Sequence, residues 1–274
     1  MQVLYLGGIF SQDMKADMTV KNVQLAGQQR TLFGLSAEDT YFSNINDGSY
    51  QNLAELAAQI LPENAISWDI GANIGVTCLV LAAVRPAGRI AAVEAGNRNF
   101  AVLERNISEN NVGGVVTPFN VAIGASDGDV RFTDASAYGF ISSEGDPTRQ
   151  VSPATLFKEF GADRLDFVKI DIEGFEFPFL RAGLDLFKTH GTVIYMEFNA
   201  WCLLANSKED PFAFMEWIVE NFAYTYLMDR HTSAYRRFSK ADVRQVLHEI
   251  IVESGTLRDL LICTEPGRIP APPA

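Results

Sequence analysis

The chain is expected to fold as an α/β protein on a doubly wound, mostly parallel sheet of seven strands, with a small N-terminal β/α cap. Three observations predict this. From residue 66 onward, short apolar runs of strand length alternate with segments of helix length, the order that sets parallel strands side by side with helices on both faces. The first run, ISWDI at 66–70, opens into glycines at 71 and 75, the tight strand-to-helix turn that such sheets use. Hydrophobic residues make up 47% of the 274, enough to fill the core of a two-faced sheet.

Residues 1–60 read as part strand and part helix, with a helix from Leu53 to Ile60, and form a cap on the same domain. The catalytic unit then spans 61–265. Its first strand, Ile66 to Ile70, is followed by a helix through Val76 to Ala83 and a second strand, Arg89 to Glu94. Residues 99–110 are amphipathic, with Phe100, Leu103 and Ile107 at helical spacing, and lead to a third strand at Val115 to Asn120. SDGD at 126–129 marks a turn into DVRF, one arm of a hairpin. Residues 133–150 are polar and turn-rich, long for a connection inside a compact domain, and read as a substrate-covering loop. A short helix at Ala154 to Phe160 precedes the strand Leu165 to Ile170, which ends in DIEG, and a helix through FPFLRAGLDLF. The remaining elements are strand Thr192 to Phe198, helix Pro211 to Phe222, strand Tyr224 to Met228, helix Lys240 to Ile251 and strand Leu257 to Thr264. The proline-rich segment 266–274 reads as a disordered tail.

Acidic residues outnumber basic ones 34 to 22, a net charge of −12, and such a field repels phosphate backbones, so nucleic acid is not an expected partner. Cys78, Cys202 and Cys263 are widely spaced, with no CxxC pair and no adjacent histidine, and read as buried, reduced thiols instead of a disulfide or zinc framework. The N-terminus lacks the basic start and small-residue cleavage pattern of a signal peptide, and no apolar run reaches membrane-spanning length. A soluble, cytoplasmic protein with no membrane partner is therefore expected.

The glycine turn selects among cofactors. A dinucleotide site needs G-x-G-x-x-G, with pyrophosphate on the helix N-terminus, but this chain has Asn73 and Val76 where the second and third glycines would fall. What stands instead is D-x-G-x-N-x-G, built from Asp69, Gly71, Asn73 and Gly75. A carboxylate at Asp69 suits an ammonium better than a phosphate, which points to S-adenosyl-L-methionine. Glu94, nineteen residues after Gly75 at the end of the second strand, has the position of a ribose-hydroxyl acceptor; the plainer alternative is a solvated strand-end acid. Asn120 and Ala122, after the third strand, are candidates for reading the adenine edge.

With these residues in place, the chain resembles the FkbM-type methyltransferases of the class I S-adenosylmethionine-dependent fold. The resemblance rests on WDIGANIG at 68–75, VEAGNRNFAVLERNISEN at 93–110, NVAIGASDGDVRF at 120–132 and VKIDIEGFEFPFLRAG at 168–183, and covers residues 45–200. It implies a sheet whose last strand is antiparallel and transfer of a methyl group to a hydroxyl of a sugar or secondary metabolite. The chain departs from that family's pattern at Ala95, Gln51 and Phe157.

A second constellation, KIDIEGFE at 169–176 with MEFN at 196–199, brings Asp171, Glu173, Glu197 and Asn199 toward one crevice at the strand ends. Asp171, Glu173 and Glu197 are the candidate catalytic residues. An alcohol nucleophile must lose a proton during attack, and crowding of carboxylates raises the pKa of one of them toward that of a useful base. Holding Mg²⁺ or Ca²⁺ is a second reading of the same acids, and no metal is predicted; a third is that they merely cap the following helix. Lys169 reads as a structural partner of an acid. His231, Tyr138, Phe140, Trp201 and Tyr235 are weaker candidates for the acceptor side, which would be a small molecule or carbohydrate. A non-catalytic adenosyl-ligand binder, or less plausibly an NAD-dependent oxidoreductase, are the competing classes.

Overall fold

The computed structural model describes residues 18–134, 139–229, 234–255 and 257–270. It opens with an antiparallel hairpin, β1 (Thr19–Leu25) and β2 (Gln28–Gly34), turned by Ala26 and Gly27 in the left-handed region. The hairpin alternates, with Val23, Leu25 and Leu32 buried, but a lone two-stranded ribbon is marginal in water. It is anchored by side-chain amides of a later helix. Asn106 donates to Phe33 O at 3.1 Å and accepts from Phe33 N at 2.7 Å, and Asn110 makes the same exchange with Thr31 at 2.9 and 3.1 Å. Two helices follow, α1 (Thr40–Asn44), capped by Asp39, and α2 (Gln51–Ile60), which buries Leu53, Ala54, Leu56 and Ala57.

Strand β3 (Ile66–Ile70) is buried at all five positions, as a central strand covered on both faces must be. It hands over to α3 (Val76–Val84), β4 (Arg89–Val93), α4 (Asn97–Glu109) and β5 (Val116–Phe119). After the arm described below come α5 (Pro153–Phe160), started by Ser152 and Pro153, then β10 (Phe167–Ile170), α6 (Glu176–His190) and β11 (Val193–Asn199). The last third holds α7 (Ala200–Cys202), a π-helical turn at 203–207, α8 (Pro211–Asn221), β12 (Tyr224–Met228), β13 (Tyr235–Arg237), α9 (Val243–His248) and β14 (Leu257–Cys263). The predicted helix at Lys240 to Ile251 is thus composite: a 3₁₀ turn at 240–242, α9, and a π-helical turn at 249–253.

The central sheet is mixed and has eight strands, in the order β13-β12-β14-β11-β10-β3-β4-β5, where seven are expected from the sequence. The extra strand is β13, three residues pairing antiparallel to β12 at the edge; YRR has no apolar alternation to announce it. Strands β11, β10, β3, β4 and β5 are parallel, and β14 runs antiparallel to both β11 and β12. One core lies between the sheet and the hairpin with α2, α3 and α4, and the other lies under α5, α6, α8 and α9.

A larger correction concerns 120–151. The segment predicted as one hairpin arm and a long loop forms a second sheet of four strands, β6 (Ala122–Ile123), β7 (Gly128–Thr133), β8 (Phe140–Ile141) and β9 (Asp146–Val151), in the order β6-β9-β7-β8. Strand β6 is two buried residues, β7, β8 and β9 are half exposed, and β9 reads DPTRQV, so no period-two apolar signal exists in them. The tail also differs from expectation over 266–270: Ile269 is buried, and Arg268 donates to Asp166 O at 3.2 Å. The rest of that tail lies outside the described residues, as do Tyr138 and His231.

Candidate active site

Because β3 and β10 are in register at Ile70 and Ile170, their carboxyl ends stop level, and the next residues, Gly71 and Asp171, face each other. Gly71 has φ of +78°, and a Cβ there would lie 1.8 Å from Asp171 O, so only glycine lets the two strand ends approach. Its N–H and that of Ala72 donate to Val93 O at 3.0 and 2.9 Å, which folds the turn over the end of β4. Asn73 also sits in the left-handed region, at φ +50°, and Gly75 at +94° begins α3. Gly75 serves packing: a Cβ there would meet Leu103 Cδ1 at 2.6 Å.

This turn forms part of one wall of a cavity of about 830 Å³ at the carboxyl ends of β3, β4, β10 and β11. Glu94 lies on that wall, 6% exposed. Its Oε2 accepts from Asn73 N at 2.9 Å and its Oε1 from Gly96 N at 2.7 Å. Burial pushes its pKa up to about 7, against those two backbone donors. Gly71, Asn73 and Ala122 line the same cavity.

Two predicted cofactor residues do different work. Asp69 is fully buried, takes the Thr77 hydroxyl on Oδ2, and lies 3.7 Å from Lys169 Nζ; it does not line the cavity. Asp69 lies opposite Lys169 in register, one residue before the strand ends; its short carboxylate is held against Thr77 of α3, while the longer lysine side chain reaches the cavity. Burial raises its pKa, with Lys169 and Thr77 opposing. Asn120 is not on the wall either; its Nδ2 donates to Glu94 O at 3.0 Å and Ala95 O at 3.3 Å, bracing the loop that presents Glu94.

The acids of KIDIEG and MEFN share one cavity. Asp171, Glu173, Glu197 and Asn199 all line the cavity, with Lys169 among them. Lys169 donates to Gly71 O at 3.3 Å and Asp171 Oδ2 at 3.5 Å. Burial lowers its pKa, but Asp171 and Asp69 outweigh that and hold it above the ordinary lysine value, so it remains an ammonium. Glu173 occupies the left-handed region at φ +53°, a strained placement of the kind that gathers at functional sites. Gly174, at φ +101°, lets the loop pass Cys202, whose carbonyl oxygen would be 2.3 Å from a Cβ. The loop is closed from inside by Glu176, which accepts from Ile172 N at 3.0 Å and Gly174 N at 3.2 Å. Cys202 Sγ donates to Glu173 Oε2 at 3.1 Å. Burial, then the charge of Asp171, raises the Glu173 pKa to about 7.

Sequence reasoning missed several lining residues. Tyr41, Ser49, Tyr50 and Asn52 come from the N-terminal cap, where no spacing argument applied. Asp259 joins from β14, opposite Glu197, and accepts the Tyr195 hydroxyl at 2.6 Å. Of the weaker aromatic candidates, Trp201 and Phe140 line the cavity, and Trp201 is 67% exposed at its edge. Among the described residues no three His, Cys, Asp or Glu side chains are grouped to hold a metal ion, so the divalent-cation alternative has no ligand set there. The three cysteines are free and buried, and no described helix is long and apolar enough to cross a membrane.

A parallel α/β core, a glycine turn and a buried carboxylate at the next strand end meet at one cavity. The family is then direct: residues 69–259 match the methyltransferase FkbM domain, and the chain belongs to that family of methyltransferases. No curated protein matches. Among solved structures, the chain is similar to a methyltransferase FkbM from Methylobacillus flagellatus KT, at 16% identity and a TM-score of 0.49 over 83% of this chain and 51% of that one. This chain therefore spans about half the length of that relative. It is also similar to an O-methyltransferase from Bacillus cereus in complex with SAH, at 14% identity and TM-score 0.43, covering 81% and 83% of the two chains. A precorrin-6y C5,15-methyltransferase from Geobacter metallireducens GS-15 matches at 13% identity and TM-score 0.43, over 80% and 89%.

Proposed function

We propose that this chain binds S-adenosyl-L-methionine and methylates a hydroxyl of a sugar or secondary metabolite. The observation that carries the reading is one cavity lined both by Glu94 and by Asp171, Glu173 and Glu197. The residues fit the cofactor's chemistry. Glu94 is a buried carboxylate whose remaining lone pairs suit a pair of vicinal hydroxyls, and the turn at Gly71 brings the main chain against the ligand. Ala122, in β6 of the small sheet, lines the same cavity and is the candidate for the adenine edge. When bound, the cofactor supplies an electrophilic methyl group on a sulfonium.

The chain's own part is to orient the acceptor and take its proton. Glu173 suits the base: it lines the cavity, and a pKa of about 7 leaves it ionised in about half the molecules at neutral pH. It would receive the acceptor's hydroxyl proton as the new O–CH₃ bond forms. Orientation can supply about 7–11 kcal/mol of such a barrier and a base about two to four decades of rate. Two measurements test the proposal: calorimetric titration of S-adenosylhomocysteine into the intact protein, and transfer of labelled methyl from the cofactor into metabolite and glycan extracts of the host. Failure of S-adenosylhomocysteine to bind rejects it.

A further inference from the structure

With Asp69 sealed beneath the floor, the amino-acid end of the proposed cofactor needs another seat. Asp171, one residue past the end of β10 and with its side chain 32% exposed, reaches the cavity beside the glycine turn, with Glu197 level with it on β11. Asp69 and Lys169 are buried and Asp171 is partly exposed; with both carboxylates ionised the three carry one net negative charge, which suits an added ammonium and not an added carboxylate.

Opposite polarity comes from the N-terminal cap. The hydroxyls of Tyr41 and Tyr50 lie 3.1 Å apart and both tyrosines line the cavity. Two phenols bring two O–H donors, and their mutual hydrogen bond uses one. The other has no protein acceptor among the described residues and is free to donate into the cavity that both tyrosines line. Tyr50 is held in the left-handed region at φ +58°, strain that an aromatic residue does not adopt without cause. Burial raises both phenols above the ordinary tyrosine value, so both remain donors at neutral pH. Along the sheet, β4 and β10 are two strand spacings apart, about 10 Å. That is the order of the distance between the ribose and the amino-acid end of an extended S-adenosyl ligand.

We propose that the Tyr41–Tyr50 pair receives the α-carboxylate of the cofactor and Asp171 its ammonium, which makes the N-terminal cap part of the cofactor site; this rests on the S-adenosylmethionine reading above. The test compares two probes by calorimetry, S-adenosylhomocysteine and 5′-methylthioadenosine, which keeps the adenosine and lacks the amino-acid end. Tyr41→Phe/Tyr50→Phe together, and Asp171→Asn separately, should each weaken S-adenosylhomocysteine about tenfold or more, the worth of a hydrogen bond to a charged group. Both should leave 5′-methylthioadenosine within twofold of wild type, which also shows that the variants fold. Equal losses for both probes, or no loss for S-adenosylhomocysteine, overturn the assignment. If the wild type binds 5′-methylthioadenosine and S-adenosylhomocysteine equally well, the amino-acid seat is wrong while the adenosine site stands. If it binds neither, the cofactor reading falls and this proposal with it.

Discussion

Glu94 offers the most exacting test of the proposed cofactor site. Its carboxylate is buried and held by two backbone N–H groups, and burial nonetheless lifts its pKa to about 7. Ribose hydroxyls donate to the ionised form, so binding favours ionisation. The sign follows: affinity is full above pH about 7 and declines as pH falls through it. At pH 5.5, with a pKa of about 7, roughly 3% of the free protein carries the charge, against about 90% at pH 8, which predicts about thirtyfold weaker binding, or about 2 kcal/mol. S-adenosylhomocysteine itself does not titrate in that window. Glu94→Gln removes the charge and sets an amide N–H₂ against one of the two backbone donors, at a cost of about 1–3 kcal/mol, and it should flatten the pH dependence. The assay is calorimetry at pH 5.5, 6.5, 7.5 and 8.0 on both proteins. An unchanged slope in Glu94→Gln would refute the reasoning, because the titrating group would then lie elsewhere.

The other expectations concern the turn, the base and the loop beneath it. Gly71→Ala puts a Cβ onto Asp171 O and costs about 1–2 kcal/mol from the left-handed backbone alone; thermal melting should fall by several degrees, with loss of S-adenosylhomocysteine binding, and an unaltered melt would show that the strand ends are looser than described. Glu173→Gln should lower methyl transfer by about two to four decades while cofactor affinity stays within a few-fold, and the wild-type rate should rise with pH through about 7 because the base must be ionised; a rate that falls over this range would assign the proton elsewhere. Glu176 has a folded pKa raised to about 7 by burial, despite its backbone donors. Its ionisation therefore opposes folding as pH rises from about 4.5 to 7. Glu176→Gln keeps an oxygen for Ile172 and Gly174 and should melt at or above wild type at pH 8, by up to about 3 kcal/mol, with no gain at pH 4.5; lower stability at pH 8 would contradict this.

The residues that the sequence made legible share a property: their roles follow from local backbone. Gly71, Asn73 and Glu94 stand at a strand-to-helix turn and at the next strand end, where spacing alone sets position. Asp171 and Glu173 follow a strand in the same way. Asp69 lies one residue before the end of β3, where its short carboxylate meets Thr77 of α3 and does not line the cavity, a packing that spacing along one strand does not carry. Asn120 spends its Nδ2 on the Glu94 loop, a contact between distant segments that strand spacing does not announce. Tyr41, Tyr50 and Asp259 reach the site from distant segments, and no periodicity carries that information. The small sheet at 122–151 was read as a loop because half-exposed polar strands have no apolar rhythm.

Asn106 has a consequence for the outer edge of β2. Its buried amide serves both polar groups of Phe33 on the outer edge of β2, and its Nδ2 also donates to Ile74 O at 2.7 Å within the glycine turn. With Asn110 doing the same for Thr31, side chains from a helix stand in for a neighbouring strand along that edge. An edge so occupied cannot template pairing with another chain. Deamidation of Asn106 would trade a donor for an acceptor at this one junction, baring a sticky edge and loosening the cofactor turn together.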